Sequence, residues 1–241
     1  MTVHSIRDCY SLSVSWVLAV SLGIAAANAA WADDGWPQWG GPGRDFKVNS
    51  DGVAKRWPDD GPKKLWTREL GDGYSAIASD GDRLYTMYWL PDVPVPSAKH
   101  VRDRIDGRSE RPDTEEADGA ESAEMIRRRG QEVVAALDAS TGATIWEYKY
   151  RADWGEDMDV RFGPGPNSTP LIVGNRIYTI GATVKLQCLD RETGERLWVH
   201  DLVEEYGAWT MMYGYGASPV GYKDMIILPL GGRGQGVIAF R

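Results

Sequence analysis

Three carboxylates crowd one short stretch of this chain: Glu156, Asp157 and Asp159. Side chains of this type can share general acid–base work, one giving a proton while another takes one. Trp154 and Arg161 flank them. A second stretch, Glu204 to Tyr215, carries Trp209, Met211, Met212, Tyr213 and Tyr215 beside its own two acids. Aromatics, methionines and carboxylates concentrated in connecting segments are what a ligand face or a protein face uses. Trp154, Asp157, Arg161, Trp209, Tyr213 and Tyr215 are therefore the candidate ligand-contacting residues. The competing reading is structural: the apolar ones cover strand edges and the acids are solvated. Nothing in the sequence fixes the carboxylate spacing, so no catalytic residue is assigned.

Other chemistry is thin. After removal of an N-terminal signal the histidines are His100 and His200, which lack ligand-like spacing to each other or to Cys188, so no zinc site is expected. Gly232-Arg233-Gly234-Gln235-Gly236 lacks the Lys-Ser/Thr ending of a phosphate loop and reads as a hairpin loop. Asn167-Ser168-Thr169 is a formal glycosylation sequon, a pattern that arises often by chance.

The elements that position these stretches come from a repeat. Ala136-Leu137-Asp138-Ala139-Ser140-Thr141-Gly142-Ala143-Thr144-Ile145-Trp146 returns as Cys188-Leu189-Asp190-Arg191-Glu192-Thr193-Gly194-Glu195-Arg196-Leu197-Trp198, with Asp138 and Asp190 lying 52 residues apart. Asp, Thr, Gly and Trp keep their offsets. Apolar strand-like runs stand on both sides of each Asp-x-x-Thr-Gly, so that tetrad-plus-spacer is a hairpin loop. The Asp carboxylate can accept N–H groups two or three residues on, and Gly supplies a positive φ at the exit. Trp then sits on the second strand with a face to bury. Self-similarity at roughly 20–50 residues marks a repeat architecture, and an aromatic at a fixed place in each unit fills the gap between stacked sheets.

The pattern Ala-x-Asp-x-x-Thr-Gly-Lys-x-x-Trp resembles the tryptophan-docking repeat of the quinoprotein, or PQQ-like, β-propeller family. Ala143, Cys188 and Glu195 depart mildly from it. The resemblance implies an all-β fold of four-stranded antiparallel blades. It does not fix a cofactor, because the family holds enzymes carrying pyrroloquinoline quinone and many propellers that do not.

Read in order, residues 1–32 form a secretory signal, with Arg7 before an apolar run from Leu12 to Ala27 and small-x-small cleavage sites ending at Ala29 or Ala32. That run is shorter than the roughly 20 residues that span a bilayer comfortably; an uncleaved anchor is the other reading. Cleavage leaves Cys188 as the one cysteine, so no intrachain disulfide is expected. The net charge of −8 makes nucleic acid or an anionic lipid surface a poor partner. Residues 33–63 are a Trp- and Gly-rich leader, with Trp36 and Trp39 expected to pack on the side of a blade. The propeller unit runs over 64–241. Lys64-Leu65-Trp66 matches the end of the repeat, with Trp66 in the docking position. Strand pairs are predicted at 74–79 with 83–89, 169–173 with 176–180, and 218–222 with 225–230. The first pair is joined by Asp80-Gly81, a strong hairpin signal. A charged insertion at about 91–131 separates the first pair from its repeat motif, and its end, from Asp118 to Gly130, carries helix-capping signals.

Val237-Ile238-Ala239-Phe240 aligns with the start of a third motif, and Arg241 stands at its Asp position. About two and a half blades are therefore present, where propellers close with about 4–8. The expectation is the N-terminal part of a longer propeller, or a ring completed by other chains. Two functions follow from the resemblance. One is a non-catalytic exported scaffold in the periplasm or secreted, similar to the propeller subunit of the outer-membrane barrel assembly machinery. It needs no cofactor, and its partner is a protein or the remaining blades. The other is a dehydrogenase of alcohols or sugars using pyrroloquinoline quinone and Ca²⁺, which in that family sit on the propeller axis, often against an adjacent-cysteine disulfide.

Overall fold

The computed structural model describes residues 35–47, 56–92, 128–160, 163–234 and 236–241. The signal with Ala29 and Ala32, the charged insertion apart from its two ends, and Arg161 lie outside the described residues. No helix among those described is long and apolar enough to cross a membrane.

The described chain builds three antiparallel sheets in sequence order. The first is β1 (Ala78–Asp80), β2 (Arg83–Pro91), β3 (Gly130–Asp138) and β4 (Thr144–Arg151). The second is β5 (Leu171–Val173), β6 (Arg176–Ile180), β7 (Lys185–Asp190) and β8 (Arg196–Asp201). The third has β9 (Val220–Tyr222), β10 (Met225–Pro229) and β11 (Val237–Phe240). Each is a meander in which neighbours in sequence are neighbours in the sheet. This is the blade of a β-propeller, complete twice and three-stranded in its third copy. The first strands of successive sheets touch: β1 meets β5, and β5 meets β9.

The first strands are shorter than their sequence runs. β1 starts at Ala78 rather than near Tyr74, because Asp72 pairs by itself with Trp89 upstream and the chain between is irregular. A side chain intervenes there: the Ser75 hydroxyl accepts the Met87 N–H at 3.3 Å. The charged insertion leaves and re-enters in register, with Pro91 opposite Gly130, so it springs from the end of the β2–β3 hairpin. A short helix, α1 (Leu202–Tyr206), was not expected. Asp201 caps its first turn, accepting the Val203 and Glu204 N–H groups, and Gly207 closes it at φ 67°.

The repeat loops form as their sequence dictates. The Asp138 carboxylate accepts the N–H and the hydroxyl of both Ser140 and Thr141, and Gly142 donates to the Asp138 carbonyl at 2.8 Å. Asp190 repeats the arrangement with Glu192 and Thr193. Hydrogen bonds to the ionised form hold Asp138 down to about 2, with the Ser140 and Thr141 hydroxyls the largest causes. Its pKa is depressed, so its contribution to stability is present above the ordinary value of 3.8 and is lost as pH falls through about 2. A carboxyl-carbon NMR titration is expected to show Asp138 still ionised at pH 3, when solvated carboxylates have largely protonated.

Two of the repeat Trp side chains, Trp66 and Trp146, dock on the Asp-x-x-Thr-Gly loop of the unit that follows them. The Trp146 indole N–H donates to the Arg191 carbonyl at 3.0 Å, and its ring covers Gly194, where a Cβ would stand 2.5 Å from the ring. Trp66 does the same one unit earlier: its N–H donates to the Ala139 carbonyl at 3.0 Å and its ring covers Gly142. Gly is needed at both places for the positive φ and for the ring seated on it. A disc of apolar side chains fills the first junction, Tyr85, Met87, Val134 and Ala136 against Ile172, Ile177 and Leu189. Cys188 takes the place that Ala136 holds opposite the first Trp, buried and small enough for the bulge beside Trp198. Burial raises its thiol, so it is an inert packing residue.

The leader departs from expectation. Trp36 pairs through its backbone with Ser79 of β1, at 2.9 and 3.0 Å, and the Pro37 carbonyl accepts from Ile172 of β5 at 2.8 Å. The Arg44 guanidinium donates to the Gly221 carbonyl of β9. Residues 36–44 thus string together the first strands of all three sheets. Trp39 does not pack on a blade side; it is 56% exposed and meets Phe46 edge-on.

Candidate functional site

The two long connections run from β4 to β5 and from β8 to β9, and the structure joins them. The Asp159 N–H donates to the Met212 carbonyl at 2.6 Å, and Thr210 Oγ1 donates to Asp157 Oδ2 at 2.9 Å. Asn167 Nδ2 adds a bond to the Tyr213 carbonyl at 2.8 Å. Both connections leave the same ends of their sheets as the β2–β3 hairpin, whose Arg128 donates to the Gly155 and Met158 carbonyls. One face of the molecule is therefore built from the base of the charged insertion and these two connections.

Burial sorts the candidate residues into two groups. Trp154, with Met158 and Val160, is buried against Trp89 and Ala182. Tyr215 is buried between the second and third sheets, its hydroxyl donating to the Pro229 carbonyl at 2.6 Å. Burial pushes that hydroxyl well above the ordinary tyrosine value. These two carry the platform and are closed to a ligand, because Gly214 lets the chain lie directly on the Trp154 ring and on Ala182. Trp209, Met211, Met212 and Tyr213 stand out from it, with Trp209 59% and Met212 58% exposed. Four large apolar side chains within five residues, held up by a buried platform, form a contact surface. Asp157 lies at its edge, committed to Thr210.

The carboxylates do not form a paired acid and base: Asp157 bonds Thr210, and the Asp159 backbone bonds the neighbouring connection. The residue that stands out chemically is Glu132, at the start of β3. It is buried, accepts the Tyr150 hydroxyl, and accepts the Ala182 N–H at 2.8 Å. It thus ties the first sheet to the β6–β7 loop of the second. Desolvation raises its carboxyl above the usual range and pushes the Tyr150 hydroxyl up with it. Only its place in an apolar strand run, Glu132-Val133-Val134, signalled it beforehand. His200 donates to or accepts from Glu205 at 2.6 Å beside Phe240, a contact within the second junction.

Pyrroloquinoline quinone and Ca²⁺ require an axial pocket and a gathered set of oxygen ligands. Among the described residues no group of three or more His, Cys, Asp or Glu is positioned to hold a metal. The first-strand edges are taken by the leader from Trp36 to Arg44. The described residues therefore gather no donor set for the metal.

Four-stranded meanders whose Trp side chains dock on Asp-x-x-Thr-Gly loops define a tryptophan-docked β-propeller of PQQ-like repeats. The chain belongs to the family described as outer membrane protein assembly factor BamB, whose model matches residues 115–239. Among solved structures it is similar to quinohemoprotein alcohol dehydrogenase from Comamonas testosteroni, with 24% identity over 44% of this chain and 16% of that one, TM-score 0.31. It is similar to BamB from Moraxella catarrhalis, with 18% identity over 47% of this chain and 30% of that one, TM-score 0.31. The chain spans under a third of the length of either. No curated protein matches it.

Proposed function

We propose that this chain is a non-catalytic, exported β-propeller scaffold of the bacterial envelope, whose working surface is the face built by its two joined connections. The supporting observation is the Trp209–Tyr213 segment: exposed, apolar, and rigidly carried on buried Trp154 and Tyr215. Such a surface takes another protein. Trp and Tyr anchors supply large contact area at low entropic cost, and Met adapts to the partner. Export rests on the signal read at residues 1–32, and a role in assembly rests on the family.

The test places a photo-crosslinking residue at Met212 and, as control, at Leu197, exposed on β8 of the blade rim. The expected result is one protein adduct from position 212, lost when Trp209→Ala is added, and no such adduct from position 197. Trp209→Ala is expected to leave the melting temperature within about 2 °C, since surface changes cost little. Equal adducts from both positions would refute the reading.

A further inference from the structure

The β6–β7 loop, Gly181 to Val184, is where the first sheet, the second sheet and the β8–β9 connection meet. It closes on itself through Gly181, which donates to the Lys185 carbonyl at 3.1 Å, and Val184, which donates to the Gly181 carbonyl at 3.0 Å. Val184 is fully buried at φ 65°. A β-branched residue is strained in the left-handed region, and such strain persists only where the surroundings impose it. Here the imposing contacts are hydrogen bonds. The Leu202 N–H of α1 donates to the Val184 carbonyl at 3.2 Å, and the Tyr215 N–H donates to the Ala182 carbonyl at 2.9 Å. From the other side Glu132 of β3 accepts the Ala182 N–H at 2.8 Å. The loop is held in a shape it would not keep by itself, with Ala182 bonded on both sides.

Glu132 is itself fixed in place. It stands opposite Tyr150 across β3 and β4 and is fully buried. One carboxyl oxygen accepts the Tyr150 hydroxyl and the other the Ala182 N–H, so the group has a single geometry. Gly181 lets the loop lie directly on that carboxylate, which a Cβ there would overlap. On its far side Ala182 carries the turn that presents Met212 and Tyr213. Gly214 donates to the Met211 carbonyl at 2.9 Å and closes this turn. A Cβ on Gly214 would stand 2.8 Å from the Ala182 Cβ and 3.1 Å from the Trp154 ring. The next residue is Tyr215, whose N–H is bonded to Ala182. The β4–β5 connection reaches the upper part of the segment, at Thr210, Met212 and Tyr213. The foot of the turn rests on Ala182.

We infer that Glu132, acting through Ala182, positions the turn of residues 211–214 and couples it to the junction between the first two sheets, a role that rests on the reading of that turn as the protein-contacting surface. Glu132 is a positioning residue and touches no partner. Its carboxyl group fixes the Ala182 N–H, and the Ala182 carbonyl in turn fixes Tyr215. Without the acceptor the strain at Val184 favours a relaxed loop, and the foot of the turn moves with it. Whatever separates the first sheet from the second withdraws the acceptor from Ala182 and loosens the face.

The experiment is backbone amide exchange on the full purified chain, read at Gly214 and Tyr215 relative to the amides of β10, together with the adduct from a photo-crosslinking residue at Met212. Glu132→Ala is expected to speed exchange at Gly214 and Tyr215 at least about tenfold, through local opening of the turn, and to abolish the adduct. Glu132→Gln keeps an acceptor for Ala182 and is expected to restore both. Tyr150→Phe removes the other partner of Glu132 and keeps the Ala182 bond. It is expected to lower overall stability while both readouts stay as in the wild type. Glu132→Leu, which keeps apolar volume and removes the acceptor, replaces Glu132→Ala if that variant does not fold. Wild-type exchange at Tyr215 without the acceptor would overturn the coupling. Equal loosening by Tyr150→Phe would also overturn it, by reducing Glu132 to a general contribution to stability. A wild type that gives no adduct refutes the partner surface alone, and the exchange rates still decide the coupling.

Discussion

Trp146→Ala is expected to lower stability by about 3–5 kcal/mol, the usual cost of removing a large buried aromatic. The ring fills the junction between the first two sheets, and its N–H is the partner of the Arg191 carbonyl. Repeat arrays are held by such nearest-neighbour junctions, so the loss should uncouple the two blades rather than merely soften one. Urea unfolding followed by tryptophan emission is expected to change from one cooperative transition to two. Trp146→Phe separates the contributions. It keeps most of the apolar area and leaves the Arg191 carbonyl unpaired, for a cost of about 1–2 kcal/mol. A single transition at unchanged midpoint in Trp146→Ala would show that the docking does not join the blades.

The second large effect concerns Glu132. Replacing it by Ala removes the acceptor of both the Tyr150 hydroxyl and the Ala182 N–H, at a cost of about 3 kcal/mol or more. Gln keeps the shape and an acceptor for Ala182. The folded carboxyl titrates above its ordinary 4.5, because burial disfavours the charge. Its stabilising contribution is therefore complete below pH 4.5 and is lost as pH rises through the folded value. As pH rises above 4.5 the wild type is expected to lose stability relative to Glu132→Gln, which should show no such loss. Parallel stability curves for the two proteins would mean that Glu132 is not the titrating group. Gly181 adds a steric check, since a Cβ there would overlap the Glu132 carboxylate and approach the Tyr150 hydroxyl. Gly181→Ala should mimic part of the Glu132→Ala loss at all pH values.

What the sequence revealed and what it hid divide by range. Asp138, Thr141 and Gly142 make a loop from contacts within five residues, so spacing alone was enough to read it. The same spacing showed that Trp146 needs a face to bury. It could not say that the face is Arg191 and Gly194, because a docking 45 residues away is a property of how sheets stack. The two connections were legible by composition, and their joining through Asp159 and Met212 was not. Composition also treated Trp154 and Trp209 alike. The backbone decided between them: one lies under Gly214 and the other stands beyond the platform. α1 escaped although its signals were present in Asp201, Glu204, Glu205 and Gly207, since five residues are too few for a helical period to register. The composition of the leader implies a covering for a blade side, and only the bonds of Trp36, Pro37 and Arg44 to three successive sheets reveal it as a tie.

The scaffold reading stands or falls on whether the propeller holds a redox cofactor. Calorimetric titration of the purified chain with pyrroloquinoline quinone and Ca²⁺, its mass fixed first by light scattering, addresses this directly. The expected result is no saturable heat from a folded species, because leader residues 36–44 occupy the first-strand edges and no ligand set is gathered among the described residues. Saturable binding at micromolar or tighter concentration would contradict the account and make the chain a quinoprotein.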